Sequence, residues 1–204
     1  MISQEIRNIL EFPIFFNVYQ RMVGASRAHK IFVEEYVQPS QGVSILDVGC
    51  GTGDIVKYIP DFCNYIGIDF NKKYIEKAKR KYGYKHKFFL ADASKQYLMN
   101  DNIDICFCFG VLHHLDDVSC RNLLTNAYKL LKHGGYYVCI EPCYFPDQDW
   151  FKKMILRWDR GVYVRDLKGY ESLMIDLFKN ITVARRDDML SIPYSMVALK
   201  CIKE

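Results

Sequence analysis

The sequence lacks any apolar run long enough to cross a membrane. No stretch approaches the roughly 20 apolar residues that a bilayer span needs. The first 20 residues carry Glu5, Arg7 and Glu11, where a secretory signal would be uninterruptedly apolar. These absences predict a cytoplasmic protein without a membrane span.

Metal-ligand spacing is also missing, although the chain has eight cysteines. It contains no CxxC pair, and His113 and His114 have no companions at the spacing of a zinc site. Cys106, Cys108 and Cys139 lie in apolar runs that are typical of strands, where reduced cysteines pack as small apolar residues. The sequence therefore predicts no metal site and no disulfide framework.

A strong excess of one charge is absent as well. The formal net charge is +4, from 28 basic and 24 acidic residues spread along the chain, which is a weak signal for nucleic-acid binding. A basic cluster at 72–87 has helical spacing, which favours a solvated helix face over an RNA-binding patch. The expected partner is a small-molecule acceptor and not a nucleic acid.

What the sequence does contain is enough apolar material for one sizeable core, since half of its 204 residues are apolar. From residue 43 onward, short runs typical of strands alternate with runs typical of helices, a pattern that predicts a parallel sheet with helices on both faces. The predicted strands are 43–48, 65–69, 86–90, 103–109, 136–141, 181–186 and 195–202. Three helices are predicted in this region: one directly after Gly53, one at 72–82 and one at 117–131. Gly134 and Gly135 are expected to end the last of them.

We expect a single domain over residues 1–204, with four parts. Apolar residues at helical intervals predict a helical cap over 1–40. The alternating region, 43–141, forms the core. An aromatic and charged stretch, 142–170, interrupts the alternation, and 171–204 supplies the C-terminal strands.

The chemically informative residues follow the predicted strands. In open α/β sheets, a ligand binds outside the carboxyl ends of the strands. The first strand ends in Asp-Val-Gly-Cys-Gly-Thr-Gly at 47–53, whose glycines allow a tight turn and close approach of a ligand. Asp69 ends the second strand 22 residues beyond Asp47, a spacing at which a carboxylate can accept both ribose hydroxyls. Together these features predict an adenosine-type cofactor.

The local charge distinguishes between possible cofactors. A nicotinamide fingerprint needs G-x-G-x-x-G, but the third glycine is replaced by Asp54 counting from Gly49, or by Val56 counting from Gly51. Asp47 and Asp54 would place negative charge near a pyrophosphate, whereas a sulfonium cofactor with an ammonium group favours nearby carboxylates. The sequence therefore favours S-adenosylmethionine.

These motifs resemble those of class I S-adenosylmethionine-dependent methyltransferases, in the same order. The matching segments are Ile-Leu-Asp-Val-Gly-Cys-Gly-Thr-Gly at 45–53, Gly-Ile-Asp at 67–69, Ala-Asp-Ala at 91–93, Phe-Gly-Val-Leu-His-His-Leu at 109–115 and Leu-Leu-Lys-His-Gly-Gly at 130–135. The resemblance implies a Rossmann-like α/β fold. It comprises a seven-stranded methyltransferase sheet with helices on both faces, an N-terminal helical cap and a substrate lid after strand five.

The resemblance also implies a cofactor site for S-adenosylmethionine, with S-adenosylhomocysteine as product. The implied residues are Tyr19, Arg27, Asp47, Gly49, Cys50, Gly51, Asp69, Phe70, Asp92, Ala93, Phe109 and Gly110. Asp69 would bind the ribose hydroxyls, and Asp92 would accept from the adenine amine. Two alternatives stay open: Asp92 also fits a helix N-cap, and Tyr19 an ordinary amphipathic docking helix.

Methyl transfer from a sulfonium is a displacement that requires alignment of the reactants in a dry pocket. A hydroxyl nucleophile also needs a base. His113 and His114, just beyond strand four, and Glu141, at the end of strand five, are the candidate catalytic residues. A structural or pocket-lining role stays open for each of them.

The predicted lid, 142–170, combines aromatic residues with arginines. Its candidate substrate residues are Tyr144, Trp150, Arg157, Arg160 and Arg165. Because arginine suits phosphate and carboxylate groups, we expect a small anionic or phosphorylated acceptor, with a surface helix of solvated arginines as the alternative. The lid contains Asp-Arg-Gly at 159–161, Val-Arg at 164–165 and Gly-Tyr at 169–170, which resemble a segment of small stand-alone bacterial methyltransferases of surface polysaccharide pathways. That likeness implies O-methylation of a sugar or phosphate-containing glycan precursor.

Other functions fit the same core motifs. A lipid, a quinone or another small metabolite could be the acceptor, and a non-catalytic adenosyl-ligand-binding protein stays open. A base-directed enzyme would carry Asn/Asp-Pro-Pro-aromatic after strand four, where this chain has Phe-Gly-Val-Leu at 109–112. We expect a monomer or a homodimer.

Overall fold

The computed structural model describes residues 24–95, 102–159 and 161–204. Two predicted site residues, Tyr19 and Arg160, lie outside the described residues, as does most of the predicted helical cap. The described part of the cap is helix α1 (Ala25–Phe32), which continues into a π-helical turn at Val33–Val37.

Within the described residues, eight strands form one sheet. They are β1 (Ser44–Val48), β2 (Asn64–Asp69), β3 (Lys87–Leu90), β4 (Ile103–Phe109), β5 (Leu131–Tyr144), β6 (Arg165–Asp166), β7 (Asn180–Arg186) and β8 (Met196–Ile202). Seven of them follow the order β3-β2-β1-β4-β5-β8-β7, and β6 pairs with β5 off this path. Strands β1 to β5 are parallel to their neighbours, whereas β8 runs antiparallel to β5 and β7. The predicted Rossmann-like methyltransferase sheet is confirmed.

Helices cover both faces of this sheet. Besides α1 they are α2 (Lys72–Tyr82), α3 (Asp117–Leu130), α4 (Trp150–Arg157) and α5 (Leu167–Met174), with 3-10 turns at Asp54–Tyr58 and Leu112–His114. Successive residues of β5 point to opposite faces. Tyr137 and Cys139 join the core under α3 and α5, and Val138 and Ile140 join the core under α1 and α2.

Two elements differ from the sequence prediction. The helix expected after Gly53 is only the 3-10 turn Asp54–Tyr58, because Ile59 is already extended and Pro60 follows it.

The second difference concerns the predicted helix end at Gly134 and Gly135, which is wrong. Helix α3 ends at Leu130, and both glycines lie inside β5. A Cβ on Gly135 would lie 2.9 Å from the carbonyl oxygen of Asp104, so this glycine permits close approach of β4.

All eight cysteines are free and buried. Burial raises the pKa of the Cys106 and Cys108 thiols well above the usual range, so both pack as neutral apolar groups. Among the described residues, no cluster of three or more His, Cys, Asp or Glu side chains could hold a metal ion. No helix in the described ranges has the length and apolar character to span a membrane.

Candidate active site

The loop after β1 leaves its backbone open to a ligand. Gly49 has φ +77°, a conformation that L side chains rarely adopt, and its N–H donates to the Ile68 carbonyl at 2.8 Å. A Cβ at this position would lie 2.5 Å from Cγ2 of Val111. Glycine at 49 therefore satisfies both a left-handed turn and close packing against the segment after β4.

Asp69 ties this loop to the end of β2. One carboxylate oxygen accepts the Gly51 N–H at 2.9 Å and the other accepts the Asn71 N–H at 2.7 Å. Burial raises the pKa of Asp69, and the two hydrogen bonds partly offset that effect. The carboxylate is thus held in place at the cavity edge.

Asp47 is the most strongly perturbed acid near the loop. Its side chain is buried and accepts a 2.5 Å hydrogen bond from the Tyr65 hydroxyl. Burial raises the pKa of Asp47 to about 7, although the Tyr65 bond acts in the opposite direction. The carboxyl group of Asp47 is therefore only partly ionised near neutral pH.

Asp92 follows β3 and closes a turn. It accepts from the Ser94 N–H at 3.0 Å and the Ser94 hydroxyl at 2.6 Å, and it pairs with Lys95 at 3.1 Å. Burial alone would raise the pKa of Asp92, but these donors outweigh burial and lower it. The turn accounts for the local bonding of Asp92, while its position at the cavity leaves room for the predicted adenine contact.

A cavity of about 520 Å³ opens at the carboxyl ends of β1 to β4. Of the predicted cofactor residues within the described ranges, all except Arg27 line it: Asp47, Gly49, Cys50, Gly51, Asp69, Phe70, Asp92, Ala93, Phe109 and Gly110. The predicted cofactor role of Arg27 does not fit the structure, because its side chain is exposed and does not line the cavity. Ala25 and His29 face the cavity instead because they are one helical turn apart, whereas Arg27 projects elsewhere.

The charge of the lining fits a cationic cofactor. The lining includes the carboxyl groups of Asp47, Asp54, Asp69, Asp92 and Asp159, and no Lys or Arg from the described ranges. His29 adds no positive charge, because burial lowers its pKa to about 4. The glycine backbone and the carboxylates near it, those of Asp47, Asp54 and Asp69, suit a ligand with a sulfonium and an ammonium group.

The two adjacent histidines occupy different environments. His113 is buried, with Nδ1 2.7 Å from Glu141 and Nε2 3.3 Å from Asp159. Burial would lower the pKa of His113, but the two carboxylates outweigh it and raise the pKa to about 9. Both ring nitrogens face carboxylates and not the cavity, so the predicted base role does not fit His113. His114 is exposed, lines the cavity and stays a candidate.

Glu141 also does not fit the predicted role of general base. It is completely buried and absent from the cavity lining. Its carboxylate accepts the N–H groups of Val111 and Leu112, both at 2.9 Å, and holds the ring of His113. Glu141 therefore positions the turn after β4.

The predicted substrate residues that the structure describes do not line the cavity. Tyr144 is half-buried against the core under α1 and α2, Trp150 is 74% exposed at the start of α4, and Arg157 is exposed at its end. Tyr144 therefore packs against the core, and the side chains of Trp150 and Arg157 point to solvent.

Arg165 is used within the protein. Its guanidinium donates to the carbonyls of Leu112 at 3.1 Å, Leu115 at 2.8 Å and Tyr163 at 2.9 Å, and to Asp117 at 2.6 Å. With its donors engaged in this way, Arg165 fixes the loop after β4, and the prediction that it binds an anionic acceptor does not fit.

Other lining residues were not predicted. Leu190, Ile192, Tyr194 and Met196 come from the β7–β8 connection and the start of β8, and Asp159 follows α4. The Tyr194 hydroxyl donates to Asp159 at 2.5 Å. The sequence signal for Asp159 is its place in the Asp-Arg-Gly segment at 159–161, in which the prediction assigned a substrate role only to the arginine.

Comparisons with known proteins agree with this geometry. Residues 45–135 match the family model described as a methyltransferase domain. The chain is 28% identical over 141 residues to a thiol S-methyltransferase of Homo sapiens, covering 64% of this chain and 57% of that protein. It is also 28% identical over 146 residues to demethylmenaquinone methyltransferase of Lactococcus lactis, covering 65% and 57%. The matches span little more than half the length of these relatives.

Solved structures share the fold at low sequence identity. Geranyl diphosphate C-methyltransferase from Streptomyces coelicolor, in complex with S-adenosyl-L-homocysteine, has a TM-score of 0.69 at 13% identity, over 87% of this chain and 76% of that one. A TehB-like methyltransferase from Corynebacterium glutamicum has a TM-score of 0.67 at 16% identity, over 94% and 98%.

The domain match over residues 45–135, the strand order and the aspartate-rich cavity together support a class I S-adenosylmethionine-dependent methyltransferase domain in this part of the chain. S-adenosylmethionine is its cofactor, as predicted from the loop at 47–53 and Asp69.

Proposed function

We propose that this chain transfers the methyl group of S-adenosylmethionine to a small, uncharged acceptor with a substantial apolar part. The observation that carries the proposal is the composition of the cavity, whose described lining contains five aspartates and no Lys or Arg. The core, 43–141, then binds the cofactor, and 142–170 together with the β7–β8 connection covers the acceptor. The eight free cysteines support a location in the reducing cytoplasm.

The cofactor half of the cavity has a defined task for each group. When bound, S-adenosylmethionine supplies a methyl group made electrophilic by its sulfonium. The backbone at Gly49 and Gly51 admits the methionine part, and Asp69 is placed to accept the ribose hydroxyls. Asp47 contributes negative charge for the ammonium group as it ionises.

The acceptor half offers mostly apolar surface. Leu190, Ile192 and Met196 supply it, and the charge of Asp159 is partly offset by the ring of His113. Such a wall favours burial of an uncharged body and disfavours an anion. His114 is the candidate that takes a proton from the acceptor.

The earlier expectation of an anionic glycan precursor has lost its main support, because Arg165 is engaged and Arg157 lies outside the cavity. The relatives do not decide the matter by themselves. Their names include a thiol and demethylmenaquinone, but also geranyl diphosphate. The lining is therefore the argument for an uncharged acceptor.

The first test is calorimetric titration with S-adenosylmethionine and S-adenosylhomocysteine. We expect both to bind the unaltered protein and neither to bind Asp69→Ala. The matched control is Asp61→Ala, which removes an exposed carboxylate paired with Lys85 and should bind normally. Failure of the unaltered protein to bind either ligand would contradict the proposal.

The second test measures transfer of a labelled methyl group to acceptors that differ in charge. An alkyl thiol and a reduced quinone represent the uncharged class, and a sugar phosphate represents the anionic class. We expect turnover with an uncharged compound and none with the sugar phosphate. Selective methylation of the sugar phosphate would reverse the acceptor assignment while leaving the cofactor assignment intact.

A further inference from the structure

The ring of His113 lies between two carboxylates. Nδ1 is 2.7 Å from Oε2 of Glu141, and Nε2 is 3.3 Å from Oδ1 of Asp159. An ionised carboxylate can only accept hydrogen bonds, so both ring nitrogens must donate. A neutral imidazole has only one N–H, which would leave a lone pair facing a carboxylate in a nearly buried site.

The main chain of the lid packs on the same histidine. The Tyr163 N–H donates to the His113 carbonyl at 3.0 Å. A Cβ on Gly161 would lie 1.9 Å from Cδ2 of His113, so the backbone at 161 fits only as glycine. Residues 159 and 161–165, here called the anchored segment, therefore lie directly against His113.

A second attachment holds the far end of the anchored segment. Arg165 donates to the Leu112 and Leu115 carbonyls on either side of His113, and to Asp117 at the start of α3. The anchored segment is thus joined to the loop after β4 at both ends, by an ion pair at Asp159 and by a multidentate arginine at 165.

The ion pair reaches the cavity wall. Asp159 receives the Tyr194 hydroxyl on Oδ2 at 2.5 Å, while Oδ1 receives the Gly161 N–H at 2.7 Å and faces His113. Asp159, His113 and Tyr194 all line the cavity, and Glu141 holds His113 from the buried side. A continuous chain of polar contacts therefore runs from the core of β5 to the acceptor wall.

We propose that His113 is permanently protonated at neutral pH and acts as a positioning residue that holds Asp159 and the anchored segment over the acceptor half of the site. The charged and titratable groups that face its ring are Glu141 from β5, Asp159 from the lid and the adjacent ring of His114, whose centroid is 4.0 Å away. The inference rests on the proposed function for its effect on the acceptor, but not for the protonation state or the anchoring.

Two consequences follow for the acceptor. The positive charge of His113 is shared between Asp159 and Glu141, so it offsets part of the charge that Asp159 presents at this wall. The anchored segment also fixes the position of Tyr194 through Asp159. Loss of the ion pair should therefore weaken acceptor binding and leave cofactor binding unchanged.

The direct test is NMR of the histidine ring nitrogens in the 15N-labelled protein, with the His113 signal assigned by its loss in His113→Gln. At pH 7.5 we expect both nitrogens to be protonated, with deprotonation near the value of about 9 that the two carboxylates impose. A neutral ring at pH 7.5 would overturn the proposal. This measurement uses the unaltered protein, so it does not depend on the folding of any variant beyond the assignment.

Variants separate the contribution of Asp159. In Asp159→Asn we expect His113 to deprotonate at lower pH and the Tyr163 amide to exchange with solvent about tenfold faster, since a charge-assisted contact is lost. The matched control is Asp147→Asn, which removes an exposed lid carboxylate paired with Arg185 and should change neither. Unchanged exchange and unchanged titration in Asp159→Asn would contradict the anchoring role.

The kinetic test uses whichever acceptor is methylated among the alkyl thiol, the reduced quinone and the sugar phosphate. Asp159→Asn should raise KM for that acceptor about tenfold, while the Kd for S-adenosylhomocysteine stays within about twofold of the unaltered protein. A lower kcat at unchanged KM would contradict a positioning role in acceptor binding. If the unaltered protein methylates nothing but His113 is protonated, the proposed function fails and the anchoring stands.

Discussion

The N–H of Gly51 donates a 2.9 Å hydrogen bond to the carboxylate of Asp69, so the glycine loop after β1 and the acid that ends β2 are joined directly. The other oxygen of Asp69 accepts from Asn71. An amide at position 69 would turn an N–H₂ group toward one of these two donors. We expect Asp69→Asn to lower the free energy of unfolding by about 1–3 kcal/mol.

Cofactor affinity should fall in the same variant, by at least about a hundredfold, because the loop and the ribose contact are disturbed together. Urea unfolding and calorimetric titration give the two quantities. Retention of cofactor affinity within about threefold would show that Asp69 is not the ribose-binding acid.

Gly49 and Gly42 allow a matched comparison of glycine substitutions. Both have φ near +80°, so alanine costs about 1 kcal/mol of backbone strain at either position. Nothing lies within 4 Å of a Cβ on Gly42, whereas a Cβ on Gly49 would lie 2.5 Å from Val111. Overpacking in Gly49→Ala should therefore lower the free energy of unfolding by a further 1–3 kcal/mol or so. Gly49→Ala should also weaken cofactor binding, whereas Gly42→Ala should not affect it.

The overpacking can be relieved at Val111. In the double variant Gly49→Ala/Val111→Ala, thermal unfolding should recover most of the difference between the two single glycine variants. Equal destabilisation by Gly42→Ala and Gly49→Ala would show that backbone conformation alone explains the glycine at position 49.

The pKa of Asp47, about 7, predicts a pH-dependent cofactor affinity. Because this pKa is raised above its ordinary value, the folded protein without cofactor favours the protonated form. A cationic ligand favours the ionised form, so binding should release a proton and strengthen as pH rises from about 5.5 to 7.5. Calorimetry in two buffers of different ionisation enthalpy measures the released protons.

Asp47→Asn is the control for this effect. Cofactor binding to the variant should lack the proton that Asp47 releases in the unaltered protein at pH values below its pKa of about 7. The variant should also bind the cofactor more weakly at pH 7.5. The unfolding free energy without cofactor should rise relative to the unaltered protein as pH increases above about 4, since a buried charge is no longer formed. If Asp47→Asn and the unaltered protein release the same number of protons on cofactor binding, the pH dependence comes from the ligand and not from Asp47.

The sequence predicted the cofactor half of the site much better than the acceptor half. The cofactor residues follow successive parallel strands, so motif order along the chain is also spatial order at one edge of the sheet. Asp159 and Tyr194 are separated by 35 positions, and they meet only because β8 returns antiparallel beside β5. No local pattern encodes that contact.

The misassigned charged residues have one physical cause. A sequence gives the presence of Arg165, His113 and Glu141 but not the number of their hydrogen-bonding groups that the fold already uses. Arg165 meets three carbonyls and Asp117, and Glu141 meets backbone N–H groups. These polar groups form hydrogen bonds within the protein, whereas the sequence predicted that they contact or deprotonate a substrate.

Arg165 gives a further test of that conclusion. Lysine keeps the positive charge but cannot reach several carbonyls and Asp117 with a planar fork of donors. Arg165→Lys should lower the unfolding free energy by about 1–3 kcal/mol and leave the choice between thiol, quinol and sugar phosphate acceptors unchanged. Arg157→Lys, at an exposed position, should alter neither. A specific loss of an anionic acceptor in Arg165→Lys would restore Arg165 as a substrate residue.

The raised pKa of His113 also predicts how stability depends on pH. In the folded protein this pKa is about 9, compared with an ordinary value of 6.5. The stabilising contribution of the protonated ring is therefore fully present below about pH 6.5 and is lost as pH rises to about 9. Urea unfolding between pH 6 and 9.5 should show a decline that His113→Gln lacks.

Glu141→Gln tests the buried side of the same ion pair. Glutamine can still accept the N–H groups of Val111 and Leu112, but it removes the charge that faces His113. We expect a loss of roughly 3 kcal/mol at pH 7, because an imidazolium loses its buried partner, and a smaller loss at pH 9.5, where the ring of the unaltered protein is largely neutral. A loss that is the same at both pH values would mean that Glu141 stabilises the turn through its backbone contacts alone.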